Sequence, residues 1–181
     1  MNLTQLIRDR RTIQTFTNEL VDDAVVREAL ELSLWALNHR LTFPWFYMIV
    51  DRTKREQLAA LAIELKSKKG NVSDPVKASM RANFMNPSHY IAIGLKKDAD
   101  PNVDKENFAT LSCSVQIASL VLWEKRIGSK WSTSGFSMHQ RTYEILGVSP
   151  QEVRLEGGLL IGKYDKAPPA LPRPALKEIL F

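Results

Sequence analysis

An α+β fold, with helices packed around a small sheet, is the architecture this sequence predicts. Three observations carry that reading. Stretches with apolar residues at helical spacing are long, whereas runs of strand character are short and number about four. Long helices around so few short strands point to a sheet packed by helices. Neither a Gly-x-Gly-x-x-Gly fingerprint nor a P-loop occurs, so Rossmann and NTPase readings find no support. With 181 residues and a 44% hydrophobic fraction, the chain can bury a real core as a single domain spanning 1–181.

The elements follow in order. Asn2 to Arg11 shows a short helical pattern, and Gln14 to Leu20 reads as an extended connection. Asp22 and Asp23 supply acidic residues for a helix start. Val25, Val26, Ala29, Leu30, Ser33 and Leu34 then recur on one helical face, to about Leu37. A loop over Asn38 to Thr42 leads to Trp45–Val50, a dense apolar run of strand type. Helices are predicted over about Thr53–Lys69 and Pro75–Met85, with Pro75 well placed in a first turn.

Tyr90 to Leu95 is the second strand, and Asp98 to Asp104 reads as a turn-rich loop. Lys105 to Lys125 is the longest helix. Its apolar and small residues predict burial nearly all round, as in a central or dimer-interface helix. A strand over Lys130–Thr133, a helix over His139–Leu146 and a strand over Leu159–Gly162 complete the pattern. From about 164 to 181, Pro168, Pro169, Pro172 and Pro174 prevent a regular helix and predict an extended arm.

Charge narrows the function classes. The net charge is +5, but the surplus is scattered in local groups such as Lys66, Lys68, Lys69 and Lys96–Lys97. No basic stripe with interleaved aromatics appears, which argues for a solvated surface and against a nucleic-acid partner. Cys113 is the only cysteine, fits a reducing compartment, and reads as a small core residue of the long helix. No secretory pattern opens the chain and no run of about 20 apolar residues occurs, so a soluble, cytoplasmic protein without membrane contact is expected. His39, His89 and His139 lack zinc-like spacing, so no metal site is expected.

Three clusters carry chemistry. Arg10-Arg11-Thr12 places two guanidiniums and a hydroxyl together, a set suited to an anionic group such as a phosphate. The same arginines would also cap a helix C-terminus favourably. Asn38-His39-Arg40, followed by Pro44-Trp45, sits between a helix and a strand, where ligand-binding loops are common. Trp131-Ser132-Thr133-Ser134-Gly135 offers an aromatic surface, hydroxyls and a flexible glycine after a strand, or simply a buried tryptophan and a turn.

These segments resemble the FMN-dependent nitroreductase family, in its short bacterial subgroup. Arg10-Arg11-Thr12-Ile13-Gln14 is similar to the family's Arg-Arg-Ser pattern with a basic residue two positions on. Ala36 to Trp45 is similar to its Ala-Pro…Gln-Pro-Trp segment. Gln14, Leu37 and Phe43 depart from those patterns. The resemblance implies a mostly antiparallel sheet of about four to five strands surrounded by helices, in a homodimer with flavin sites at the subunit interface.

The resemblance further implies FMN as cofactor and NAD(P)H as electron donor. A small-molecule acceptor, a nitroaromatic or a quinone, would be reduced in ping-pong order without a dedicated catalytic acid or base. Arg10, Arg11 and Thr12 would meet the ribityl-phosphate side, and Arg173 of the arm would reach the phosphate. His39 would approach a flavin bound mainly by the other subunit. Trp131, Ser132 and Thr133 would lie against the isoalloxazine ring. The three departures keep a second reading open, a weakly active or non-catalytic flavin-binding relative.

Overall fold

The computed structural model describes residues 2–180. Asn2 caps α1 (Leu3–Asp9) through its side chain, and Asp22 caps α2 (Asp23–Ser33) in the same way. After β1 (Trp45–Ile49) come α3 (Arg52–Ser67) and α4 (Asp74–Met85), then β2 (His89–Lys96). The long helix α5 (Pro101–Glu124), β3 (Gly128–Ser132), α6 (Gln140–Leu146) and β4 (Val153–Gly162) complete the body.

The four strands form one antiparallel sheet in the order β1-β2-β4-β3. Its two faces bury separate cores. Ile91, Ile93, Leu95, Leu159 and Ile161 face α2 and α5 and pack against Val26, Leu111, Val115 and Leu122. Tyr90, Ala92, Leu155 and Leu160 face α3, α4 and α6, where they meet Leu58, Ala62, Phe84 and Leu146. This is the period-two division a pleated strand imposes, and it makes β2 and β4 apolar on both sides.

The boundaries differ from the sequence expectation in informative places. α5 begins at Pro101, inside the expected loop, because Asp100 accepts from the Asn102 amide and Pro101 supplies a first helical residue. β4 begins at Val153, six residues before the expected start, through a segment containing Gly157 and Gly158 that reads as a breaker. α2 stops at Ser33, leaving Leu34, Trp35 and Leu37 exposed. Cys113 is exposed, not a core residue, since α5 turns Ala109, Cys113 and Gln116 away from the sheet. The segment beyond 164 is irregular, as its prolines require, apart from one short turn at Leu176–Glu178, and only Ala167 packs partly against the core.

Among the described residues, no helix is long and apolar enough to cross a membrane.

Candidate functional site

The site is organised by β3, the edge strand. Alternation along it sends Lys130 and Ser132 to the α3/α4 face and Trp131 to the α5 face. On the first of these faces the sheet does not meet the helices completely. A cavity of about 610 Å³ opens between β3, β4, α3, α4 and the segment after β3. Tyr90, Leu160, Phe84, Phe136, Met80 and Leu65 give it apolar and aromatic walls. Lys66, Lys68 and Lys69 at the end of α3, together with Lys130, bring positive charge, and no aspartate or glutamate lines it. Its size and composition are those of a small-molecule site: a largely apolar hollow with a few polar groups.

The wall formed by Ser132, Ser134 and Gly135 depends on β4. Gly157, at φ +120°, lets the β4 backbone approach the Ser132 carbonyl closely. It adjoins a bulge: Gly157 pairs with Ile93, but Leu155 pairs with Gly94, so Glu156 is the extra residue. The carbonyl of Glu156 accepts from Trp131 Nε1 at 3.0 Å.

At the near end of β3 lies the arginine cluster. Thr12 pairs with Ser129 in a parallel bridge, and the Ile13 amide donates to the Ser129 carbonyl at 3.1 Å. This tie carries Arg10-Arg11-Thr12 to the strand that also presents Lys130 and Ser132 to the cavity. The C-terminal arm brings Arg173 into the same field. Burial, and then the charges of Arg11 and Arg173, hold the Arg10 guanidinium below its ordinary value. All three stay protonated at neutral pH, and none pairs with a carboxylate among the described residues. Arg11 folds back, donating to the carbonyls of Arg8 at 2.6 Å and Arg10 at 2.9 Å. It therefore takes the helix-capping role that was the alternative reading, while Arg173 donates to the Leu171 carbonyl at 3.3 Å and the Arg10 guanidinium makes no hydrogen bond among the described residues.

The His39 loop stands elsewhere. Asn38 shapes it: its Nδ2 donates to Thr42 Oγ1 and its Oδ1 accepts from the Phe43 amide, both at 2.9 Å. Thr42 Oγ1 passes the chain on to buried Asn107 at 2.6 Å. Arg40, Leu41 and Phe43 all adopt positive φ, an uncommon run for residues with a Cβ. His39 is exposed, with Nε2 3.9 Å from Glu106 of α5, and does not line this chain's own cavity.

Of the sequence-selected residues, the fold thus brings Arg10, Arg11, Thr12 and Arg173 to one end of β3 and Ser132 into the cavity. Thr133 is exposed beside it and does not line it, and Trp131 packs on the opposite face, 6.3 Å from Phe108. Sequence reasoning missed Lys130, Phe84 and Tyr90. Strand alternation from Ser132 was the signal that could have found Lys130. Phe84 and Tyr90 carry none, because both read as ordinary core.

A buried guanidinium supports this wall. Arg55 of α3, 7% exposed, donates to the carbonyls of Phe84 at 2.5 and 2.8 Å, of Ser88 at 3.1 Å, and of Pro87. It satisfies the carbonyls at the end of α4 and locks the turn into β2. Burial, and then the charge of Arg52, depress its pKa without removing its proton.

Comparison with known proteins agrees with this architecture. A Bacillus subtilis (strain 168) protein named "Putative NAD(P)H nitroreductase YfhC" is 25% identical over 178 residues, covering 97% of this chain and 91% of that one. The crystal structure of a nitroreductase-like family protein from Bacillus cereus superposes with a TM-score of 0.86 at 24% identity, covering 100% of this chain and 95% of the other. A variant of the FMN and NADPH-dependent nitroreductase NfnB, from sphigopyxis sp. strain HMH, does so with 0.80 at 19% identity, covering 100% and 98%. The sequence model described as the nitroreductase family matches residues 7–163, most of the chain, and the chain belongs to that family.

Proposed function

We propose that this protein is an FMN-dependent oxidoreductase that uses NAD(P)H to reduce a nitroaromatic, quinone or related electron-poor small molecule. The observation that carries this reading is an uncompensated cluster of guanidiniums beside an apolar cavity, joined through one edge strand. That donor set fits FMN, a phosphate linked through a ribityl chain to a flat aromatic ring system. The names of the Bacillus subtilis relative and of NfnB add support for NAD(P)H and FMN.

Arg10 and Arg173 would hold the phosphate, with the Thr12 hydroxyl as a neutral donor beside them. Ser132, Ser134 and Gly135 would form one wall of the ring site. The chemistry supplied by FMN when bound is hydride transfer at N5, from NAD(P)H in one half-reaction and to the acceptor in the other. The chain's own contribution is to orient, to exclude water and to hold positive charge near the ring. None of the residues in the cavity is needed as a dedicated proton-transfer catalyst.

The assembly that fits is a homodimer with the cavities at its interface. Trp35, Leu37, Leu41 and Phe43 form an exposed apolar group beside the outward face of α5, a patch that monomers rarely leave open. His39, turned away from its own chain's cavity, would then approach the cavity of the partner. The whole of 1–181 acts as one domain in this reading, with the arm from about 164 carrying Arg173 back to the body.

The test is the visible spectrum of the purified protein, followed by anaerobic addition of NADPH or NADH. Flavin bands that bleach support the reading. Flavin bands that persist indicate a flavin-binding relative without turnover, the outcome that Gln14, Leu37 and Phe43 would favour. A colourless protein that refuses added FMN overturns the assignment.

A further inference from the structure

Tyr90 and Lys130 face the cavity without a side-chain hydrogen bond or ion pair among the described residues, and they belong to one row across the sheet. Lys130 stands opposite Leu160, Leu160 stands opposite Tyr90, and all three line the cavity. Two interstrand steps put the backbones of Lys130 and Tyr90 roughly 10 Å apart, with Leu160 as the apolar floor between them.

Tyr90 is 5% exposed, and its hydroxyl, on the cavity wall, forms no hydrogen bond among the described residues. A buried tyrosine hydroxyl normally finds a partner. Its ring has little freedom. Phe84 stacks on it at 5.7 Å between centroids and 15° between planes. On β4, Gly158 leaves it room: a Cβ there would lie 2.4 Å from both Cζ and the hydroxyl oxygen. Gly158 pairs with Ser132, so the missing side chain lets the hydroxyl lie beside the strand position whose partner forms the cavity wall. Lys130 likewise makes no ion pair among the described residues, and no acid lines the cavity. Both groups face the cavity, where a bound molecule can reach the Tyr90 hydroxyl and the half-buried Lys130 ammonium.

Resting on the flavin reading above, we propose that Tyr90 and Lys130 bind the ring system of the flavin, as a ring-recognition pair separate from the phosphate-binding arginines. The Tyr90 hydroxyl donates to a carbonyl oxygen or ring nitrogen, and the Lys130 ammonium supplies positive charge beside it. A cation in a water-poor cavity favours the redox state of the ring that carries more negative charge, so Lys130 raises the midpoint potential.

Truncating the ligand separates ring from phosphate. Dissociation constants for FMN and for riboflavin are measured by fluorescence quenching on the full chain and on Tyr90→Phe, Lys130→Met and Arg10→Ala. Tyr90→Phe and Lys130→Met weaken both flavins by the same factor, about 3- to 10-fold. Arg10→Ala weakens FMN at least about 10-fold and leaves riboflavin unchanged. Lys130→Met also lowers the midpoint potential of bound flavin, and Lys130→Arg restores it. Folded Tyr90→Phe and Lys130→Met proteins that keep wild-type affinity for both flavins, or that lose FMN but not riboflavin, overturn the assignment while leaving the flavin reading intact. A wild-type chain that binds neither flavin overturns the flavin reading itself, and this proposal with it.

Discussion

Gly157 and Ser132 are in such close apposition across β4 and β3 that a Cβ on the glycine would lie 2.1 Å from the Ser132 carbonyl oxygen. Gly157 also holds φ +120°, where a side chain is strained whatever the space. Gly157→Ala is therefore expected to destabilise the fold by about 2–4 kcal/mol. Because Ser132 begins the cavity wall, the same change should lower the flavin-to-protein absorbance ratio of the purified protein. Urea denaturation and that ratio check the two effects separately.

Arg173 contributes attraction only toward an anion, since its neighbours Arg10 and Arg11 repel it. Arg173→Ala should weaken FMN binding by about 10- to 100-fold, the worth of a charged hydrogen bond. The loss should shrink as salt is raised, because the contact is exposed and screened. Without FMN, the variant should melt no earlier than wild type. Titrations at low and high salt, beside a thermal melt of the flavin-free protein, give the comparison.

Arg55 is the opposite case, a cation whose partners are all backbone carbonyls. Arg55→Leu removes the donors and leaves those carbonyls buried, at a cost of about 3–5 kcal/mol. Arg55→Lys keeps the charge but cannot span three carbonyls as a planar fork does, so it should recover only part of the loss. Denaturant midpoints of the two variants should fall in that order below wild type.

Acid stability should pass through Glu64. Hydrogen bonds from Lys68 and Arg141 hold this exposed carboxylate down from 4.5 to about 2. A depressed carboxylate contributes stability that is fully present above its unfolded value, and the contribution is lost as pH falls through the folded one. The window is therefore from about 4.5 down to about 2. Glu64→Gln should flatten the fall of melting temperature over that window and leave the difference between pH 6 and pH 7 unchanged.

Trp35 and Leu37 are 85% and 83% exposed, beside a hollow on α5 floored by Ser112, Cys113 and Ile117. In the proposed homodimer a second chain covers them. On the proposed homodimer, Trp35→Asp should convert dimer to monomer in sedimentation velocity, and flavin retention should fall with it because His39 would no longer reach the partner's cavity. A wild-type protein that sediments as a monomer would sink the dimer reading.

How much of this was legible in the sequence depended on whether a residue's task is local. Helix and strand cores were readable, because Val26, Ala29, Leu111 and Val115 obey the period of their own element. The early start of α5 was missed because Asp100 and Pro101 look like a loop until the cap is seen. The first half of β4 was missed because Gly157 and Gly158 look like a break, whereas their role is to admit other groups, the Ser132 carbonyl and the Tyr90 ring. The Arg10-Arg11-Thr12 cluster was legible as chemistry, and the resemblance already implied that Arg173 would join it at the phosphate, but only the fold showed that Arg11 turns back to its own helix. Tyr90 was invisible in principle: nothing local separates a core tyrosine from one whose hydroxyl faces an open cavity.

The bridge between Thr12 and Ser129 has a consequence for the integrity of the molecule in solution. β3 is an outer strand, and the N-terminal segment lies along its free side, with the Ile13 amide using one of its carbonyls. Ile13 itself is 1% exposed and fills the space beside Gly128. Peeling this segment away would free the Ser129 carbonyl and uncover the outer edge of β3, the kind of template on which chains aggregate edge to edge. The same few residues that are proposed to hold a phosphate thus also serve as a guard rail for the sheet. A bound anion that pins Arg10 would keep that rail closed, so the ligand would protect the protein from aggregation as well as from unfolding.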